Sequence, residues 1–550
     1  MLGIQELDDL FCLQLTRPDL ARCARVNKKW HSIVIPHLWR DLTNLDRSFT
    51  RRLSFCRMVL EDYLGEQQQR QKWLDEGSVV EQDIQPQSTS ALTALAKYGS
   101  WIRVLPALGN LMNSFHCQSP AARGEITAEG LVLHLFRRCP PYVQVDFFMA
   151  HVLDKEFDLG PGNPKKTIIE FTLPRVRRLC VRATSPLSSS KVLKLMDLLD
   201  QCSDALLELE LDIDIPTGTR IHDVKEEQLE KRSKDWISLK KLCLYMWTDN
   251  TDTNTFWPWL FKRCGHVEKL EVHSNRGTIQ VLIQAMLSQM PKLTEITLGT
   301  ASPGRGSLDD NTIADLLSGS CKGWRGLNIR GTSKFGMTAM KALEKHFSTL
   351  EVLVVDRTID VFKDGLAQVL SSCDNLHTLV YGTSYSDPKK FADQDPTTGS
   401  LKPWKCESTL KVLHVAIVGR PEMRALRGSN FNHDQETETL VYDRLARLTK
   451  LETLCLDNDT IWARTVCLGM TLDGGLHKLS GSTMLKELHV PPKRMSIGMD
   501  EVQWMTEHWP RLRGLYGLCN EKAVAWLRQN HPEIKLTLDH LWLEENSMYQ

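Results

Sequence analysis

A short hydrophobic phrase, apolar-x-x-Leu-x-apolar, recurs along most of this chain. It reads VRRLCV at 176–181, LLELEL at 206–211, LKKLCL at 239–244, VEKLEV at 267–272, LTEITL at 293–298 and WRGLNI at 324–329. It continues as LEVLVV from 350, LHTLVY from 376, LKVLHV from 410, LETLCL from 451, LKELHV from 485 and LRGLYG from 512. Alternation of apolar and polar positions over so few residues predicts a half-buried strand. The stretches between copies have another period: KVLKLMDLLDQC from 191, TIQVLIQAMLSQM from 278 and DVFKDGLAQVLSSC from 360 place apolar residues at i, i+3 and i+4, which predicts amphipathic helices. Strand alternating with helix at steps of 26 to 41 residues describes a repeat whose units cannot bury their own apolar faces and gain stability by stacking on their neighbours. YGSWIRVL at 98–105 and RRCPPYVQVDFF at 137–148 echo the phrase and suggest one or two degenerate opening units.

The first forty residues follow a purely helical pattern. Leu7, Leu10, Phe11 and Leu15 make one stripe. Thr16, Pro18 and Asp19 then supply an N-cap, a first-turn proline and an acidic residue near the helix start. Leu20, Cys23 and Ala24 share the face of the helix that follows, and Val26, Trp30, Ile33 and Val34 repeat the spacing on a second short helix that Asn27 caps and Pro36 ends. Leu38, Trp39 and Leu42 close the module. Residues 52–64 extend the helical pattern, whereas 65–90 are polar and without period, and read as a linker or loop.

The stretch TRPDLARCARVNKKWHSIVIPHLWRDL resembles an F-box, with the DLARCARVNKKW core and the terminal LW carrying the likeness; Gly3-Ile4 stands where such motifs usually open with Leu-Pro. The alternating strands and helices resemble leucine-rich repeats, and 442–456 and 496–518 are similar to the C-terminal repeats of a large group of fungal F-box and leucine-rich-repeat proteins. The resemblance implies an N-terminal all-α F-box at 1–45, a connecting helix and polar linker at 46–90, and a curved α/β leucine-rich-repeat solenoid of roughly 12 or more irregular repeats at 91–550. It also implies partners: a Skp-family linker protein, through it a cullin, and an unidentified protein substrate. The residues it assigns to the linker contact are Leu7, Leu15, Pro18, Leu20, Val26, Trp30, Ile33, Leu38 and Trp39. The function implied is that of a substrate-recognition adaptor of a Skp-cullin-F-box type ubiquitin ligase, with a non-degradative interaction scaffold as the alternative.

In such a solenoid the leucines point inward, and the intervening strand positions line the concave face because side chains alternate along a strand. The candidates for substrate contact are therefore Arg178, Arg182, Glu208, Glu210, Asp212, Tyr245, Trp247, His273, Arg330, Asp356, His414 and Asp457; Glu487 and His489 fall in the same series. Insertions at 215–236, 383–408 and 418–440 lengthen three repeats. In WTDNTDTNTFWPWLFKRC at 247–264, the aromatics are either interface anchors or the start of a helix that packs inside the repeat; the packing reading is preferred for Trp257 to Phe261, and Trp247 is the one expected at the surface.

Charge and composition narrow the function further. With 68 basic against 68 acidic residues the net charge is +0, which argues against a nucleic-acid binder that relies on neutralising phosphates. The N-terminus lacks the basic start of a signal peptide, and no apolar run reaches the length of a membrane span, so the expectation is a cytoplasmic or nuclear protein without membrane association. Fifteen cysteines without a Cys-x-x-Cys pair read as reduced thiols, and no Cys/His cluster shows ligand spacing, so neither metal nor cofactor is expected. Cys202, Cys264, Cys321 and Cys373 each sit three or four residues ahead of a strand phrase, a place for a small buried thiol rather than a nucleophile. No phosphate-binding glycine loop or nucleophile elbow is present, so the chain is expected not to be an enzyme.

Overall fold

The computed structural model describes residues 20, 22–25, 30 and 34, residues 145–148, and, with gaps, residues 177–537. The chain divides into two compact units, Met1–Val267 and Glu268–Gln550.

In the first unit, four described strands pair in parallel and in sequence order: β1 (Val145–Phe148), β2 (Arg178–Arg182), β3 (Glu208–Ile213) and β4 (Lys241–Met246). The leucines of the phrase fall in register, Leu179 beside Leu209 beside Leu242, and all three are buried. This unit ends in helix α1 (Phe256–Arg263), whose Phe256, Trp257, Trp259, Leu260 and Phe261 are buried. Trp259 meets Trp236 edge to face at 5.9 Å, and the Arg263 guanidinium lies 4.3 Å from the Trp259 ring centre. Trp257 and Trp259 are thus core, as the packing reading for Trp257 to Phe261 had it; Trp236 is also core, so the insertion expected at 215–236 gives way at its end to a fully buried anchor.

The second unit holds ten parallel strands among its described residues. They are β5 (Lys269–Ser274), β6 (Glu295–Thr300), β7 (Gly326–Arg330), β8 (Val352–Val355), β9 (Thr378–Ser386), β10 (Val412–Ile417), β11 (Thr453–Cys455), β12 (Glu487–His489), β13 (Gly514–Tyr516) and β14 (Lys535–Thr537). Each pairs with the next in sequence. One column runs in register through Leu270, Ile296, Leu327, Leu353, Leu379, Leu413, Leu454, Leu488 and Leu515, all buried. Burying a side chain of that size is worth roughly 1.5–3 kcal/mol, and here the burial depends on the strands to either side. The helices between strands are α2 (Asp310–Ser318), α3 (Met337–Leu343), α4 (Gly365–Ser372), α5 (Pro388–Ala392), α6 (Gln435–Ala446), α7 (Met499–His508) and α8 (Glu521–Asn530). The arrangement is a stack of α/β repeats.

Twelve of the strands coincide with the twelve phrases, and β1 falls in the degenerate echo at 137–148. Strand β14 was not anticipated: Leu536 continues the leucine column beside Leu515, but Glu533 stands where the phrase begins with an apolar residue. The insertion read at 418–440 is shorter than expected, because α6 begins at Gln435.

Neighbouring repeats are also joined through their helix ends. Asp309 caps its own helix, accepting from the Thr312 N–H at 2.8 Å. The adjacent Asp310 reaches into the next repeat and accepts from the backbone N–H groups of Gly336, Thr338 and Ala339 at 2.8–2.9 Å, satisfying donors that α3 leaves unpaired at its start. A Cβ on Gly336 would lie 2.7 Å from that carboxylate, so the glycine makes the approach possible. Of the cysteines ahead of strands, Cys264 and Cys373 are fully buried, and desolvation raises both thiol pKa values, that of Cys373 to about 12, while Cys202 and Cys321 lie outside the described residues.

Candidate functional site

Two regions carry the sequence-based candidates. In the N-terminal module, Leu20 (5% exposed) and Val34 (0%) form a small core against which Cys23, Ala24 and Trp30 pack. The Ala24 N–H donates to the Leu20 carbonyl at 2.9 Å, a helical turn where the Thr16-Pro18-Asp19 pattern predicts one. Leu20 therefore supports the module from inside, and Trp30, half-buried, lies against it. Leu7, Leu15, Pro18, Val26, Ile33, Leu38 and Trp39 lie outside the described residues, as does the linker at 65–90.

The second region is the sheet face that carries the residues alternating with the leucines. In the first unit, charges on neighbouring strands answer one another. Arg178 lies 3.5 Å from Glu208, and Arg182 donates to Glu210 at 3.1 Å. Glu208 is in register with Lys241, and Asp212 with Tyr245. Opposite charges on adjacent strands pair across the ladder, an arrangement that fixes side-chain positions while each exposed pair adds no more than about 1 kcal/mol. Arg178 and Arg182 are exposed and Glu208, Glu210, Asp212 and Tyr245 half-exposed, so six predicted residues share one accessible face.

In the second unit, His273 is half-exposed, and its ring lies over Gly299 of β6, where a Cβ would stand 2.6 Å from Nδ1. Val352, Val354 and Val380 then make the face apolar at β8 and β9, a change of character the list of polar candidates does not contain. His414 of β10 is half-exposed. Arg330 is placed at the end of β7, while Trp247, Asp356 and Asp457 lie outside the described residues.

Toward the last strands the face closes over. His489, which alternation would expose, is 3% exposed and stacks flat on Tyr516 at 4.1 Å with 9° between the rings. The stack exists because Gly514 has no side chain: a Cβ there would lie 2.6 Å from the Tyr516 ring, which folds back along its own strand. Glu487 stands 3.9 Å from His489 Nε2, and the neighbouring imidazole holds its carboxyl below the usual carboxylate range. Sequence reading picked out Glu487 and His489 but not Tyr516 or Gly514; the Gly-x-Tyr spacing within a strand phrase was the available signal.

A protein-family model described as F-box-like matches residues 10–44. None of the curated proteins matches the chain. Among 33 matching chains of solved structures is one from the crystal structure of the Rad7 and Elc1 complex in yeast, 16% identical, covering 80% of this chain and 89% of its own, with a TM-score of 0.40. A likeness at that score carries no argument. No helix among the described residues is long and apolar enough to cross a membrane.

Proposed function

We propose that the chain is a substrate-recognition adaptor of a Skp-cullin-F-box type ubiquitin ligase. The observation that carries this reading is the F-box-like match at 10–44, the type of module that docks on a Skp-family linker and through it on a cullin. The stacked α/β repeats, read as leucine-rich repeats, are the part that would hold a protein substrate. Their accessible polar face of Arg178, Arg182, Glu208, Glu210, Asp212 and Tyr245 in the first unit, with His273 and His414 in the second, offers paired charges of both signs suited to fixing the register of a protein partner. The adaptor's contribution would be proximity, raising the effective concentration of substrate lysines at an active site on another subunit.

The test is copurification of the full-length chain from its native cell, scored for a Skp-type linker and a cullin. The double variant Leu20→Ala/Trp30→Ala empties the core of the N-terminal module and is expected to abolish linker and cullin recovery while the repeats keep their circular dichroism. Undiminished recovery with the double variant overturns the reading. Recovery of the linker without cullin, and without any protein that accumulates when the F-box is disabled, supports a non-degradative scaffold instead.

A further inference from the structure

The sheet face of the second unit changes character along the stack, and so does the edge at which the chain enters its strands. On the face, Val354 of β8 is in register with Val380 of β9, while Val352 of β8 and Val412 of β10 flank Thr378 of β9. Val352, Val380 and Val412 are half-buried around Val354, which is 4% exposed, and together they make an aliphatic patch three strands wide. At the edge, the residues that precede the strands form a line: the backbone N–H groups of Glu351, His377, Lys411, Glu452, Lys486 and Arg513 each donate to the carbonyl of the residue before them in the row, which begins at Arg325. Taken with the first residue of each strand, this edge from β5 to β9 holds Lys269 and Arg325 against Glu268, Glu295 and Glu351. From β10 to β14 it holds Lys411, Lys486, Arg513 and Lys535 against Glu452 and Glu487. One half is thus net acidic and the other has cations in excess, and the valine patch lies where the two halves meet.

We propose that this surface takes an extended segment of a protein substrate in which an aliphatic residue is accompanied by a cluster of Asp and Glu side chains. The proposal rests on the reading of the repeats as the substrate-holding part and names the chemistry of what they hold. All four cations of the β10–β14 edge are exposed. Its two carboxylates already have partners within the chain, Lys486 donating to Glu452 and His489 standing 3.9 Å from Glu487. A partner that answers the excess must therefore be acidic, and a basic one would meet like charge. At the other end Arg325 and Glu351 answer each other through two hydrogen bonds of 2.9 Å, so the boundary beside the valines offers apolar contact rather than charge. Spacing sets the length of the segment. The four steps from β10 to β14 span about 19 Å, which an extended chain crosses in about six residues, so the acidic cluster falls within about six positions of the aliphatic anchor.

The purified full-length chain is probed with a phage-displayed library of random peptides about 12 residues long, enough to span patch and edge. The recovered sequences are expected to share an aliphatic residue with about three or more Asp or Glu side chains within about six positions of it. A basic consensus, an acidic one without an aliphatic residue, or no consensus overturns the proposal. Binding of a synthetic peptide carrying the consensus is then followed by fluorescence polarisation. Lys411→Glu/Arg513→Glu and, separately, Val380→Asp are each expected to weaken it about tenfold or more. Unchanged affinity in either variant overturns the placement; should Val380→Asp lose its circular dichroism, the charge variant at two exposed positions decides alone. Linker recovery separates this proposal from the reading beneath it. A chain that shows the peptide preference but recovers no Skp-type linker refutes the ligase adaptor and keeps the surface, and recovery of the linker without the preference does the reverse.

Discussion

His346 shows how a single side chain ties repeats together and makes their stability depend on pH. It is buried just after α3, where its Nε2 lies 2.8 Å from the Leu317 carbonyl at the end of α2 and its Nδ1 accepts from the Trp324 N–H at 3.3 Å. A carbonyl can only accept and an amide N–H can only donate, so the ring is neutral with its proton on Nε2. Desolvation lowers its pKa, and Lys345 beside it adds to the effect against the opposing Leu317 bond. The unfolded chain, with a histidine pKa of about 6.5, therefore binds a proton more readily than the folded one. The stability His346 contributes is present above about pH 6.5 and is lost as pH falls through the lower folded value, with a limiting slope of about 1.4 kcal/mol per pH unit. His346→Gln keeps one donor and one acceptor without titrating. Urea denaturation at pH 7.5, 6 and 5 is expected to show a shallower loss for the variant than for the wild-type chain; equal slopes would show that the other 16 of the 17 histidines carry the dependence.

At the scale of elements, the insertion between β9 and β10 is fastened by one residue of a later helix. Arg444 of α6 is fully buried; its Nη2 and Nε donate to the Ala392 carbonyl at 2.6 and 3.1 Å, its Nη1 donates to Glu407 at 2.9 Å, and its guanidinium lies 4.4 Å from the Trp404 ring centre. Trp404 in turn meets Phe391 edge to face at 5.2 Å. One cation thus gathers both ends of the segment, while its middle turns at Asp393, which takes a left-handed conformation, and closes through the bridge between Gln394 and Leu401. Removing a buried cation with this many partners costs about 2–4 kcal/mol. Arg444→Ala is expected to make the exposed Lys389, Lys390 and Lys405 the first sites of limited trypsin cleavage, ahead of the rest of the second unit; an unaltered cleavage order would refute the fastening role. The strands themselves were legible because their signal is local: a period of two within six residues, repeated. The fastening was not, because Arg444 lies 37 residues from Glu407 and 52 from Ala392, and nothing in RLARLTK separates a buried arginine from an exposed one. The same limit hid the His489–Tyr516 stack, which depends on the missing side chain of Gly514.

For the molecule as a whole, the repeat pattern predicts a stability made of nearest-neighbour terms, and the second unit allows that to be tested. Leu353 of β8 is fully buried between Leu327 and Leu379, whereas Leu536 of β14 has a paired strand on one side among the described residues and is half-exposed. The identical truncation to alanine removes the same atoms at both places, but only at Leu353 does it leave a cavity walled by two neighbouring repeats. Leu353→Ala is expected to cost about 2–5 kcal/mol and Leu536→Ala roughly 1 kcal/mol, since a partly solvated site can relax into the space. Hydrogen exchange resolved by peptide adds the decisive distinction. If stability passes from repeat to repeat, Leu353→Ala accelerates exchange most at β7 to β9, less at β6 and β10, and leaves β12 to β14 near their wild-type rates. Equal acceleration over all ten strands would mean that the unit opens in a single step, so that a substrate held on its face would stabilise every repeat rather than only those it touches.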